Sequence, residues 1–254
     1  MLNDLTIKQI QELVDEEGLN EDLLNKLKQD PRKGVKRILQ NAIIKEETIQ
    51  KAREKSIQLM SFENKIWAKG YEYIGGIDEA GRGPLAGPLV SACVILPKGL
   101  VIEGIDDSKK LSASKRQFFY NMIKDKAISI GLAIIDPTRI DEINIYKATL
   151  EAMQEAVYAC NTRPQYLLID AMELDNVPIP QESIISGDSR SQSIAAASII
   201  AKVTRDRIMN ELSIIYPEYG FEKHKGYGTK AHIEAIKKLG LAPVHRRSFT
   251  GKFA

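Results

Sequence analysis

The chain has 254 residues, 43% hydrophobic and 28% charged, with a formal net charge of +2. This excludes a disordered or collagen-like chain and leaves room for one domain of about 150–200 residues plus an appendage. No apolar run reaches the roughly 20 residues of a membrane helix. The first residues lack the basic-then-apolar plan of a secretory leader. Cys93 and Cys160 lack metal-ligand spacing and are expected to be buried free thiols, so the reading is a cytoplasmic protein. The charge is segregated: residues 71–201 hold 12 basic against 17 acidic side chains, while residues 31–70 hold ten against four and residues 202–254 hold 11 against five. An acidic centre between basic flanks suits a cation-loaded site with a polyanion gripped around it, and ordinary surface scatter describes it equally well.

Residues 1–70 read as a helical extension. Thr6 to Gln9 has the form of a capping box, followed by Ile7, Ile10, Leu13 and Val14 on one face. Asn20 caps a second helix carrying Leu23, Leu24 and Leu27, which ends before Pro31. One long basic amphipathic helix is expected from Arg32 to about Lys69, closed by Gly70. Leu59, Met60, Phe62 and Trp67 are expected to anchor it to the remainder, residues 71–254. There the period shifts to strands, expected at 73–77, 89–96, 128–135, 166–169 and 183–185. The run at 89–96 is apolar throughout, as in a sheet covered on both faces. Helices are expected after Ser112 or Ser114, over 144–159, and over 191–215. The last opens on Ser193-Ile194-Ala195-Ala196-Ala197-Ser198, small enough to lie very close to the sheet. Strand pairs followed by βαβ units describe an α/β mixed sheet flanked by helices.

Acids follow three of these apolar runs: Asp78 and Glu79, Asp170, and Asp188. Each alone has an ordinary explanation: a turn at Asp78-Glu79 and Asp170, a helix N-cap at Asp188. Together they place four carboxylates at one rim, where like charges need a cation. Oxygen donors with no Cys or His cluster point to Mg²⁺ or Mn²⁺, and two such ions would orient water on a phosphodiester and stabilise the leaving oxygen. The loop after Glu79 flanks Arg82, a phosphate-gripping side chain, with Gly81 and Gly83. No GxxxxGK[ST] or GxGxxG is present, which excludes P-loop and dinucleotide-binding enzymes.

These residues carry a resemblance. The run from Asp78 to Pro88 (DEAGRGPLAGP) resembles the signature of the ribonuclease HII family. So do Asp107-Ser108-Lys109-Lys110-Leu111, the strand end at Asp170, Gly187-Asp188, residues 193–206 and Lys225-Gly226-Tyr227-Gly228-Thr229-Lys230-Ala231-His232. The matches keep the family's order across residues 71–254, and the helical extension resembles that of low-GC Gram-positive bacteria.

The resemblance implies a ribonuclease H-like five-stranded mixed sheet with a helical C-terminal part. It implies metal binding and catalysis by Asp78, Glu79, Asp170 and Asp188, with two divalent ions, Mn²⁺ or Mg²⁺. Gly81, Arg82 and Gly83 would contact the ribonucleotide through its 2′-hydroxyl and phosphate, and Tyr227 would recognise the RNA–DNA junction. Ser108 and Lys109 are further substrate-contact candidates. The expected substrates are RNA–DNA hybrids and DNA with embedded ribonucleotides, cut on the 5′ side to leave 5′-phosphate and 3′-hydroxyl ends by a monomer with no membrane partner. Reading a sugar rather than bases implies little sequence preference. A ribonuclease HIII-like hybrid nuclease is the nearest alternative, disfavoured by Arg82 and the helical start. A non-catalytic hybrid-binding protein is another, disfavoured by retention of four repelling acids. His232 reads as either a phosphate contact or a surface residue opening a helix. His245-Arg246-Arg247 and Lys252 read as either a basic tail on nucleic acid or a solvated end.

Overall fold

The computed structural model describes residues 2–252. The chain divides into two compact units, Met1–Lys55 and Ser56–Ala254. The first is helical. Helix α1 (Ile7–Glu17) opens on a reciprocal capping box: Gln9 N donates to Thr6 Oγ1 at 3.3 Å and Thr6 N to Gln9 Oε1 at 2.9 Å. Helix α2 (Glu21–Gln29) is capped by Asn20 Oδ1, which accepts from Leu23 N at 2.8 Å. Helix α3 (Lys33–Gln58) follows. Ile10, Val14, Leu23, Leu27, Val35 and Ile38 form this unit's core, each on the apolar stripe of its helix.

The single long helix expected over residues 32–69 is broken. After α3 the chain turns at Leu59 and Met60 and restarts as α4 (Ser61–Ala68). The Leu59 carbonyl accepts from Gln192 N at 3.0 Å and so leaves the helical ladder. Of the expected anchoring residues, Leu59, Met60 and Trp67 are buried in the second unit's own cores and Phe62 is partly buried against them.

The second unit is a five-stranded sheet of β1 (Ile74–Ala80), β2 (Leu89–Ile95), β3 (Ser129–Ile135), β4 (Tyr166–Asp170) and β5 (Gln181–Ile184). The order is β3-β2-β1-β4-β5, with β1–β2 and β2–β3 antiparallel and β1–β4 and β4–β5 parallel. Between the strands run α5 (Ala113–Lys126), α6 (Pro137–Ile143) and α7 (Ile145–Tyr158), and after them come α8 (Gln192–Ile215), α9 (Phe221–His224), α10 (Lys230–Leu239) and α11 (Arg247–Thr250). Strand β2 is buried along its whole length. Val90, Ala92 and Val94 pack with α5 and α8, while Leu89 and Cys93 pack with α6 and α7, so the sheet is covered on both faces. This is the mixed sheet expected from the sequence. Both cysteines are free, though Cys160 is only partly buried.

Three local expectations change. Strand β1 runs on to Ala80, so Asp78 and Glu79 lie within it, opposite Ala92 and Ser91 of β2, rather than after it. Strand β5 lies earlier than expected. Helix α6 was not expected: Asp136 caps it and Pro137 occupies its first turn, where a fixed φ and a missing N–H do no harm.

The approach of α8 to β1 sets the site. A Cβ on Gly76 would lie 2.1 Å from the Ser193 carbonyl carbon, so bare backbone meets the first turn of α8, and Ala195, Ala196 and Ala197 behind it are fully buried. The start of α8 is fixed by Glu63 of α4, whose Oε1 accepts from the Ser191 hydroxyl at 2.6 Å and from Ser193 N at 2.9 Å. Among the described residues no helix is long and apolar enough to cross a membrane.

Candidate active site

Ile77 of β1 pairs with Ile169 of β4, so Asp78 and Asp170 emerge side by side from adjacent parallel strands. Asp188 lies in a 3-10 turn, Gly187–Ser189, between β5 and α8. It is not the cap of α8, which is Ser191. Asp170 Oδ1 accepts from Gly187 N at 2.7 Å, so the carboxylate of β4 holds the turn that carries Asp188. Asp78 Oδ1 accepts from Glu79 N at 2.7 Å, and the nearby Ser198 hydroxyl of α8 favours the charged form of the same carboxylate. Ser108 faces inward: its hydroxyl is buried and lies 2.9 Å from that of Ser198. The residue expected to touch substrate thus stands behind Asp78.

The acids repel one another. Burial, then the charges of Glu79 and Asp170, raises the Asp78 carboxyl well above its ordinary range. Burial raises Glu79 too, against the opposing charge of Arg82 and with the addition of Asp170. Asp188 is raised by burial and by Asp107, a fifth acid that sequence reasoning did not single out although it opens the Asp107–Leu111 segment. Two loop cations face the cluster: Arg82 Nη1 lies 3.5 Å from Glu79 Oε1, and Lys109 Nζ 3.5 Å from Asp188 Oδ2. Burial works against the charge on Lys109, but Asp188, Asp107 and Asp78 hold its pKa above the ordinary value.

Among the described residues no three His, Cys, Asp or Glu side chains are gathered to hold one ion. The donor set nonetheless fits a hard divalent cation. It consists of oxygen alone, its members repel one another, and Glu79 Oε2 is buried without a hydrogen-bond partner. Asp78, Glu79, Asp170 and Asp188 are the residues that would hold such an ion.

The Gly81–Pro88 loop borders the acids, and its two leading glycines differ. Gly81 has φ +100°, and a Cβ there would lie 2.2 Å from Arg205 Nε and 2.7 Å from Pro88 O. Around Gly83 the space is open, and the nearest atom to a Cβ would be Tyr227 Cε1 at 3.9 Å. Tyr227, 44% exposed, follows α9 and is thereby brought beside the loop. Backbone bonds complete the frame: Leu85 N donates to Gly226 O, Gly87 N to Val244 O and Arg246 N to Leu85 O, each at 2.8 Å.

Three basic residues expected near the surface are buried: His232, His245 and Arg246. Arg247 and Lys252 are exposed. The two histidine Nε2 atoms lie 3.0 Å apart, a contact that requires one lone pair. Ala242 N donates to His245 Nδ1 at 2.9 Å, so His245 Nε2–H donates to His232 Nε2, and His232 Nδ1–H donates to Tyr227 O at 2.9 Å. Both rings are therefore neutral. Burial above all holds His232 down to about 4. Because the unfolded chain takes up this proton near pH 6.5, the associated stability is complete above that pH and declines as pH falls towards 4. The loss reaches roughly 3 kcal/mol at most. Denaturant midpoints in that window should fall less steeply with acid in His232→Gln than in the unaltered chain.

A five-stranded sheet of this order, with acids on its two central parallel strands, has the ribonuclease H-like fold. The sequence model of the family "Ribonuclease HII" matches residues 75–252, and that of the "Ribonuclease HII N-terminal domain" matches residues 6–67. The ribonucleases HII of Bacillus mycoides and Bacillus anthracis are 55% and 54% identical to this chain over 240 residues, covering 94% of it and 92% of each relative. The chain belongs to the ribonuclease HII family, and is a ribonuclease H enzyme that acts on nucleic acid. Among solved structures, the ribonuclease H2 of Pyrococcus horikoshii OT3 superposes with a TM-score of 0.59 at 26% identity, over 69% of this chain and 93% of that one. The Bst-RNase HIII solved in complex with Mn²⁺ shares the fold, with a TM-score of 0.50 at 19% identity over 73% of this chain and 65% of that one.

Proposed function

We propose that the enzyme hydrolyses the RNA strand of RNA–DNA hybrids and incises on the 5′ side of single ribonucleotides in duplex DNA, leaving 5′-phosphate and 3′-hydroxyl ends. One observation carries this reading: the carboxylate cluster on β1 and β4 runs without interruption into a loop whose open glycine faces an exposed tyrosine. Family membership supports it, and the Mn²⁺ in the Bst-RNase HIII structure supports divalent metal at the acids. Two such ions held by Asp78, Glu79, Asp170 and Asp188 would supply Lewis-acid charge at the scissile phosphate and an activated water.

The remaining work falls to the chain's own groups. Glu79 is oriented by Arg82, and Asp188 by the Asp170–Gly187 bond together with Lys109. The opening at Gly83 admits a ribose against loop backbone, where a 2′-hydroxyl is read without crowding by a side chain. The exposed ring of Tyr227 offers a stacking face for the neighbouring base or sugar.

The two glycines provide the test. Gly83→Ala should melt within about 1 °C of the unaltered enzyme, because the added methyl meets nothing closer than Tyr227. Its cleavage at a single ribonucleotide should nevertheless fall about a hundredfold, since a small misplacement at the reacting ribose is costly. Gly81→Ala should lower the melting temperature as well, because it strains a positive φ and strikes Arg205. A Gly83→Ala enzyme that cuts at the unaltered rate would remove the ribose-reading role.

A further inference from the structure

From the sequence Arg246 reads as either a nucleic-acid contact or part of a solvated end; the structure turns it inward. Its Nε donates to Gly87 O at 3.0 Å, Nη1 to Arg82 O at 3.0 Å, and Nη2 to Gly81 O at 2.6 Å and Gly87 O at 2.8 Å. Arg205 of α8 approaches the same loop from the other side. Its Nε donates to Pro88 O at 2.9 Å and Nη2 to Ala86 O at 3.1 Å, while Nη1 reaches Lys225 O at 3.0 Å, two residues before Tyr227. Both guanidiniums are buried, and neither forms an ion pair with a carboxylate among the described residues.

An isolated buried cation is costly, and two near each other more so. Carbonyl oxygens satisfy the donors' hydrogen bonds but do not cancel the net charge. Burial, then the neighbouring charge of Arg205, brings Arg246 down to about 9, so it remains a cation at neutral pH. The loop's carbonyls are held inward by these two side chains. Among the described residues the N–H groups of Arg82 and Gly83 find no acceptor within the chain. A loop with inward carbonyls, unpaired amides and positive charge behind it is built for an anion.

We propose that Arg246 and Arg205 are positioning residues for ribonucleotide recognition. They lock the Gly81–Pro88 backbone so that its free amides meet the phosphodiester beside the selected ribose, and that phosphate supplies the counter-charge the two guanidiniums lack. The histidine chain from Ala242 through His245 and His232 to the Tyr227 carbonyl joins the tyrosine to the segment that carries Arg246, making loop and tyrosine one rigid reader. This inference rests on the ribose-reading role proposed above.

The test uses full-length Arg246→Lys, Arg246→Met and Arg205→Lys, with melting temperature and Mn²⁺ affinity measured for each. Steady-state cleavage is then followed on a DNA duplex with one ribonucleotide at several salt concentrations. Arg246→Lys keeps the charge but not the fork of donors. It should raise KM about tenfold or more while Mn²⁺ affinity stays unchanged. Arg246→Met should raise KM further and reduce the slope of log KM against log salt by about one, a change absent in Arg246→Lys. Arg205→Lys should behave like Arg246→Lys.

If the unaltered enzyme does not cut at the ribonucleotide, the functional reading itself fails. If it does cut, and the variants lose only kcat in proportion to their folded fraction, with KM and salt slope unchanged, the positioning role is overturned. Where a variant melts below the assay temperature, the arginine Nε–H resonances of the unaltered enzyme take its place. They should shift when the ribonucleotide duplex binds with Ca²⁺ and stay still with an all-DNA duplex; no difference between the two duplexes would overturn the proposal.

Discussion

Asp78→Asn is expected to lower kcat by at least about 10³-fold on every substrate, while the metal-free protein melts at or above the temperature of the unaltered chain. The catalytic loss would follow from removing one of the acids proposed to hold the metal, worth about 4 kcal/mol of transition-state stabilisation. The gain in stability follows from the same geometry. Burial, then the charges of Glu79 and Asp170, raises the Asp78 pKa, so the carboxylate destabilises the folded chain. Asparagine keeps an acceptor for Glu79 N and removes the repulsion. Opposed changes in activity and stability are the mark of a residue placed for chemistry rather than folding. Thermal melts in chelator, paired with single-turnover rates in Mn²⁺, measure both; an Asp78→Asn enzyme that retains full activity would remove the carboxylate from the mechanism.

Gly76→Ala should have a large structural effect for a single added methyl. Its Cβ would stand 2.1 Å from the Ser193 carbonyl carbon and 2.3 Å from the carbonyl oxygen, both backbone atoms that no rotamer change can move. Helix α8 must then back away from β1, disturbing the Ser198–Ser108 bond and the turn carrying Asp188 together. A loss of at least about 3 kcal/mol is expected for such overpacking against rigid backbone, roughly 6–12 °C in melting temperature for a domain of this size. Gly251→Ala is the control: its φ is −56°, and an added Cβ there meets nothing within 4 Å. It should leave the melting curve in place.

These two positions also show what the sequence makes legible. Asp78 and Glu79 announce themselves because an apolar run leads into them and a glycine-rich loop follows. The small residues at 193–198 announce a close approach because bulk is missing exactly where a helix must touch a sheet. The five strands could be read for the same reason, since β2 and β4 are nearly unbroken apolar runs. The end of β1 could not: Asp78 and Glu79 look like loop residues until their pairing with Ala92 and Ser91 is seen. Nor could the break between α3 and α4, because the amide that takes the Leu59 carbonyl belongs to Gln192.

The basic residues were the hardest to read. Arg246 beside Arg247 has the look of a nucleic-acid-binding tail, and nothing local distinguishes the two. Their difference arises from partners far along the chain: the carbonyls that bury Arg246 lie 159 to 165 residues away, and the loop carbonyls that hold Arg205 lie 117 and 119 residues away. His232 likewise looks like a surface residue at the start of a helix, and only the neighbouring Tyr227 carbonyl and His245 show that it is a buried neutral link. Ser108 gives the same lesson on a smaller scale, since its partner Ser198 is 90 residues distant.

In the proposed function, catalysis and ribose selection share one continuous segment of β1 and its loop, and one comparison tests that union most directly. Two DNA duplexes identical except for a single 2′-hydroxyl are offered to the unaltered enzyme with Mn²⁺, and single-turnover cleavage is mapped at nucleotide resolution. The expected result is one incision, on the 5′ side of the ribonucleotide, with a 3′-hydroxyl that a polymerase extends, and no incision in the all-DNA duplex. Cleavage of both duplexes at similar rates, or of neither, would contradict it.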